Sequence, residues 1–196
     1  MSRSLLMPMV PSPVWSRPRA SRCALAWQGC GRHVGRMEEI TLRPFTADDT
    51  DWLVDQHATL YAQNDGFDDS FGPLVRTILE DFVAGHDAER ERGWIAEADG
   101  ARLGSIFCVR LNDTTAKLRL FLLLPEARGR GLGQRLLHQC MGFARDTGYS
   151  NMQLWTHQSH TAACALYAKF GWEMVGSKPV HSFGQDLVEQ TWVYRF

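Results

Sequence analysis

The stretch that most constrains this chain is Leu122-Leu123-Leu124-Pro125-Glu126-Ala127-Arg128-Gly129-Arg130-Gly131-Leu132-Gly133. An apolar run suited to a buried strand stops at a proline, a loop with three alternate glycines follows, and an amphipathic pattern begins at once. Leu132, Leu136, Leu137, Cys140, Met141 and Ala144 recur at helical spacing, which predicts a helix over 131–146 that Gly148 stops. Glycines let backbone N–H groups approach a phosphate without a Cβ in the way. The helix N-terminus adds unpaired donors and a partial positive charge. Arg128 and Arg130 bring further charge for a pyrophosphate or a 3′-phosphate. Gly129, Arg130, Gly131, Leu132 and Gly133 thus read as a diphosphate cradle, although a Gly-x-Gly-x-Gly run alone also suits a flexible loop.

Two nucleotide readings fail on position. A dinucleotide fold has its glycines after the first strand and an acid about twenty residues on. Here the loop follows the fourth predicted strand, and no suitable acid-bearing strand end comes after it. A Walker-type loop needs Gly-Lys-Ser/Thr, which the segment lacks.

Around this segment, strands and helices alternate. The pattern predicts strands at 40–44, 94–97, 103–109, 116–124, 152–156, 172–175 and 191–196. Helices are predicted from Asp48 or Asp49 as cap to a break at Gly66, then over 71–84, 131–146 and 161–170. Hairpins in the first half and strand–helix alternation after it indicate an α/β fold with a sheet of mixed direction. Trp52, Trp94, Trp155, Trp172 and Trp192 are expected in the core. His181, Ser182 and Phe183 fall in a predicted loop before the last strand.

The 196 residues suffice for one domain with a sizeable core. Residues 1–36 stand apart: four prolines, several serines, six arginines and no acid, with no apolar periodicity. Such a segment cannot bury enough apolar surface to offset its ordering entropy. It is expected to be a disordered, non-domain extension, with an organellar targeting segment as the alternative, and the domain is expected over 37–196. Removing those six arginines from the net charge of −1 leaves the body at −7. An acidic body argues against nucleic acid as a partner. No run of eighteen apolar residues occurs, so no membrane span is expected. Five scattered cysteines in no metal-type spacing argue against a metal or a disulfide framework and for a reducing cytoplasm.

Two motifs together resemble the GNAT acyltransferase superfamily. Arg128, Gly131 and Gly133 occupy its Arg/Gln-x-x-Gly-x-Gly/Ala core, with Pro125 and Leu132 also in register. Ala163-Cys164-Ala165-Leu166-Tyr167-Ala168-Lys169-Phe170-Gly171-Trp172 resembles the family's Ala-x-x-Leu-Tyr-x-Lys-x-Gly-Phe. The resemblance covers about 39–196. It implies the GNAT fold, with a mixed central sheet of about six to seven strands flanked by about four helices. It also implies acetyl-CoA as co-substrate, its pyrophosphate on the loop amides and its pantetheine arm on backbone groups of Leu122, Leu123 and Leu124, where the strand splays from its neighbour. The implied reaction is transfer of acetyl to an amine of a small molecule or peptide, and the resemblance leaves room for a homodimer. Tyr167 takes the position of the family's catalytic tyrosine, placed to protonate or hydrogen-bond the departing sulfur. Its bland alternative is a core aromatic. His160 stands where the family often has an asparagine that contacts the pantetheine; the histidine either makes that contact or caps the helix. His157, His181, Glu97 and Asp186 are candidates for the general base. Tyr61 to Phe71, Arg90 to Glu97, Lys117 to Leu120 and His181 to Leu187 resemble, more narrowly, acetyltransferase domains fused behind MarR-type regulators, although no DNA-binding half is present in this sequence. The competing function is a non-catalytic acyl-CoA sensor acting with a transcription regulator.

Overall fold

The computed structural model describes residues 39–196. Proposals about 1–36 lie outside the described residues. The elements run β1 (Thr41–Pro44), α1 (Thr50–Asp65), α2 (Phe71–Gly85), β2 (Arg92–Ala98), β3 (Ala101–Arg110), β4 (Thr115–Leu123), α3 (Leu132–Asp146), β5 (Asn151–His157), α4 (Thr161–Lys169), β6 (Glu173–Ser182) and β7 (Gln185–Arg195). The seven strands form one sheet in the order β1-β2-β3-β4-β5-β7-β6. Every neighbouring pair is antiparallel except β4–β5. This is the mixed α/β GNAT fold that the two motifs imply.

Helix periodicity sorts the apolar residues onto the two sheet faces. On one face α3 buries Leu132, Leu136, Leu137, Cys140 and Ala144 against Ile106, Leu118, Met152 and Leu154. On the other, α2 sets Val75, Leu79 and Phe82 beside Leu53 and Leu60 of α1 and Ile95, Phe107 and Leu122 of the sheet. Each fully buried leucine contributes about 1.5–3 kcal/mol relative to exposure, so the two clusters hold the sheet from both sides.

Three expectations need correction. Asp49 sits at the cap position of α1 but does not cap that helix; its carboxylate reaches back to accept the Thr46 N–H at 2.9 Å. The same carboxylate takes Arg43 and Arg102, each within 2.8 Å. The last two strands are much longer than the predicted 172–175 and 191–196 and form a hairpin, so His181 and Ser182 belong to β6 rather than to a loop. Trp155 is no core residue: it is 40% exposed, and Lys117 Nζ lies 3.6 Å from its ring centre.

Candidate active site

A wedge opens between β4 and β5. The two strands pair only through Thr115–Asn151, Ala116–Met152 and Lys117–Gln153. Beyond Lys117, β4 stays with β3 while β5 continues beside β7 as far as His157–Glu189. The local cause is a bulge. The β3–β4 register shifts between Ser105 and Phe107, and Leu120 takes a φ of 48°. Ser105 Oγ donates to the Leu120 carbonyl at 2.7 Å and fixes it. An extra residue in one strand bends and twists it, and a leucine at positive φ costs roughly 1–3 kcal/mol. The sequence does not reveal this pair: Ser105 carries no local signal, and Leu120 reads there as one more apolar strand residue.

The cradle lies at the end of β4. After a 3₁₀ turn at Pro125–Ala127, Gly129 and Gly131 adopt φ of 74° and 76°, and Gly131 is the N-cap of α3. No side chain caps that helix, so its first-turn N–H groups remain available to an anion. A Cβ placed on Gly129 or Gly131 would meet no atom within 4 Å. Open space therefore lies beside both glycines. Gly133 differs: a Cβ there would lie 3.0 Å from Leu123 Cδ1, so it lets α3 close onto the strand. Arg130 is exposed. Arg128 folds back, its Nε and Nη2 donating to the Leu123 carbonyl at 3.4 and 3.3 Å. The Leu124 N–H donates to Leu103 at 3.0 Å. Two of the polar groups at the strand end thus have partners within the chain.

On the opposite lip, α4 carries Tyr167, which is 4% exposed. Its ring centre lies 6.3 Å from that of Phe121, on the splayed half of β4, and about as far from Trp172 and Trp192. Its hydroxyl makes no hydrogen bond among the described residues, and burial pushes its pKa well above the ordinary phenol value. The phenol therefore stays neutral and keeps its proton to donate. His160 holds the N-cap position of α4 without capping it. Its Nε2 lies 3.2 Å from Asp65 Oδ1 and its Nδ1 3.4 Å from Thr156 Oγ1, which ties α4 to the end of α1.

The four base candidates separate clearly. Glu97 is bound to Arg43 at 2.8 Å on β2. His181 and Asp186 pair with each other at 2.7 Å on the exposed hairpin. His157 ends β5 at the wedge, its ring 5.4 Å from that of His160 and 5.6 Å from Phe67. Its Nδ1 is buried without a partner, and burial, with His160 beside it, pulls its pKa below the usual value. Tyr61, Phe67, Phe71 and Phe183 close this end with ring centres 4.6–5.3 Å apart in successive contacts. The Asp68 N–H donates to the Phe183 carbonyl at 3.0 Å, which joins the α1–α2 connection to the hairpin turn.

A sequence model of the acetyltransferase (GNAT) family matches residues 42–172. The chain belongs to that family. Human N-acetyltransferase 8B is 32% identical over 128 residues, which cover 61% of this chain and 56% of that protein. The chain spans about half the length of the curated relatives it matches. Among solved structures, a GNAT-family acetyltransferase from Staphylococcus aureus aligns with a TM-score of 0.66 at 14% identity, covering 80% of this chain and 99% of that one. A Salmonella typhimurium protein solved with its cofactor acetyl-CoA aligns with a TM-score of 0.61 at 18% identity, covering 80% and 94%. These two likenesses concern the fold. The GNAT match runs from β1 to the residue before β6, so the β6–β7 hairpin lies beyond it.

Proposed function

We propose that this chain is an acetyl-CoA-dependent N-acetyltransferase acting on an amine of a small molecule or peptide. The observation that carries this reading is the juxtaposition of an uncapped, glycine-lined helix N-terminus with a wedge that has a neutral, unbonded phenol on its far lip. When bound, acetyl-CoA supplies an activated acetyl group and a thiolate leaving group. The N–H groups from Gly129 to Gly133 would hold the diphosphate, with Arg128 and Arg130 adding charge. The remaining backbone groups of Leu122 to Leu124 would orient the pantetheine arm.

Tyr167 donates its hydroxyl hydrogen toward the sulfur as that atom gains charge, an interaction stronger in the transition state than in the ground state. Burial, with His160 beside it, favours the neutral form of His157, which makes this ring at the wedge the group placed to take the proton that the attacking amine must lose. His160 holds the two edges of the site together through Asp65 and Thr156. The buried, unpaired Cys108 and Cys140 fit a reducing compartment such as the cytoplasm.

The test is a panel of amines incubated with the full chain and acetyl-CoA while thiol release is followed. Amine-dependent release supports transfer. Tight acetyl-CoA binding without release for any amine would make the chain an acyl-CoA sensor instead.

A further inference from the structure

Two cations stand on the floor of the wedge without acidic partners. Leu118 is buried under α3, and alternation along β4 turns Lys117 and Arg119 to the opposite face, the side of α2. There Arg119 lines an open cleft between α2 and the sheet, with Ile78 and Phe82 on the helix and Phe107, Val109 and Leu120 on the strands. Arg119 is half-buried, yet its guanidinium makes no hydrogen bond or ion pair among the described residues. Several other arginines find an acid: Arg43 and Arg102 take Asp49, Arg76 takes Asp51, and Arg195 takes Glu173. Partial burial of an unpaired cation is costly, and such groups normally find a counter-charge.

The nearby acids are engaged or out of contact. Glu189 holds Lys178 at 3.1 Å, and Glu91 accepts the Arg110 and Asp87 N–H groups at 2.7 and 2.9 Å. Arg110 is itself paired with Asp113. Asp81 faces the cleft from α2 but is exposed and beyond ion-pair distance of Arg119. Lys117 lies over Trp155 with its charge penalised by burial and then by Arg119, which brings its pKa down to about 8. An anion set between the two cations would relieve both.

We infer that the amine accepted at this site also carries an anionic oxygen group, a carboxylate or phosphate, held by Arg119 with Lys117. The position fits the chemistry. Arg119 and Phe121, which touches Tyr167, stand about 7 Å apart along β4; the bulge at Leu120 puts them on opposite sheet faces, and the open wedge beside β4 joins the two faces. An amine a few bonds from its anionic group spans that distance. Trp155, beside Lys117, is 40% exposed and offers an apolar face to the organic body of such an amine.

This inference rests on the acetyl-transfer reading, and the experiment separates the two. Matched amines are compared on the full chain: amino acids against their carboxamides, and phosphoethanolamine against ethanolamine. The anionic member of at least one pair should show a kcat/KM higher by about tenfold to a hundredfold, the range of a hydrogen bond to a charged group. Which pair responds identifies carboxylate or phosphate. Arg119→Gln should erase the preference through KM, with acetyl-CoA affinity and melting temperature unchanged, and Arg119→Lys should restore part of it. Neutral members preferred throughout, or a preference that survives Arg119→Gln, would overturn the inference. If no amine turns over, acetyl transfer fails as a reading. Calorimetric titration of the same pairs into the CoA-saturated chain then still decides, because anion-selective binding lost in Arg119→Gln supports the site and its absence overturns it.

Discussion

Lys117 and Gln153 form the last pair joining β4 to β5, and the wedge begins where their contact ends. The break follows from the bulge at Leu120, which the Ser105 hydroxyl secures from β3. On the proposed function, the site for a long, extended co-substrate is made by removing one set of ladder bonds rather than by adding a loop.

Ser105→Ala tests that device. Ser105 is fully buried, so the substitution leaves the Leu120 carbonyl without its hydroxyl partner at a cost of about 1–3 kcal/mol. Urea unfolding should show a stability loss of that order, together with weaker acetyl-CoA binding. Unchanged stability would mean that the bulge holds without Ser105.

Gly131→Val tests the cradle. A φ of 76° disfavours a branched side chain, and the new side chain would enter the open space beside the α3 N-cap. CoA affinity should fall at least about tenfold, roughly 1.4 kcal/mol, with the fold retained. Equal affinity by calorimetry would remove the diphosphate from this loop.

Much of this geometry was legible in the sequence, for local reasons. The run Leu122 to Gly133 shows the strand, the turn and the helix start through its own backbone chemistry, and the predicted helix over 131–146 matches Leu132–Asp146. The hairpin was under-read. β6 is an edge strand exposed at most positions, so it lacks the alternation that marks a half-buried strand, and Gly176 and Pro179 read as breaks. An edge tolerates that proline because only one side of the strand is paired. The turn at Phe183–Gly184 needs positive φ at both residues, 54° and 72°, which a phenylalanine does not advertise. The wedge and the Asp65–His160 contact join residues far apart in sequence, and no local pattern encodes them. Trp155 was misjudged because a tryptophan's size favours burial, whereas here its face serves a lysine.

His57 predicts a pH dependence of stability. It is buried, its Nδ1 lies 2.8 Å from the Leu53 carbonyl, and burial brings its pKa from 6.5 down to about 4. The folded pKa lies below the unfolded one, so between the two the unfolded chain binds the extra proton. The stabilisation is complete above about pH 6.5 and is lost as pH falls toward 4. Urea unfolding should show about 2 kcal/mol less stability at pH 5 than at pH 7 from this residue. His57→Gln should flatten that slope, and a parent chain with no slope would contradict a neutral buried His57.

Residues 1–36 are predicted to be dispensable. Their composition offers no apolar face for a core. A chain beginning at Met37 should keep the melting temperature and acetyl-CoA affinity of the full chain. A large loss in either would show that the segment packs on the domain.

Tyr167→Phe probes the central claim most directly, because it removes one hydroxyl and keeps nearly all the packing against Phe121, Trp172 and Trp192. The measurement is kcat for amine-dependent thiol release from acetyl-CoA, set beside acetyl-CoA affinity for the same variant. Loss of general-acid assistance should lower kcat by about a hundredfold or more, with affinity within about twofold because the cradle is untouched. A variant that keeps the parent's kcat on an accepted amine would contradict the assignment of Tyr167 to the departing sulfur.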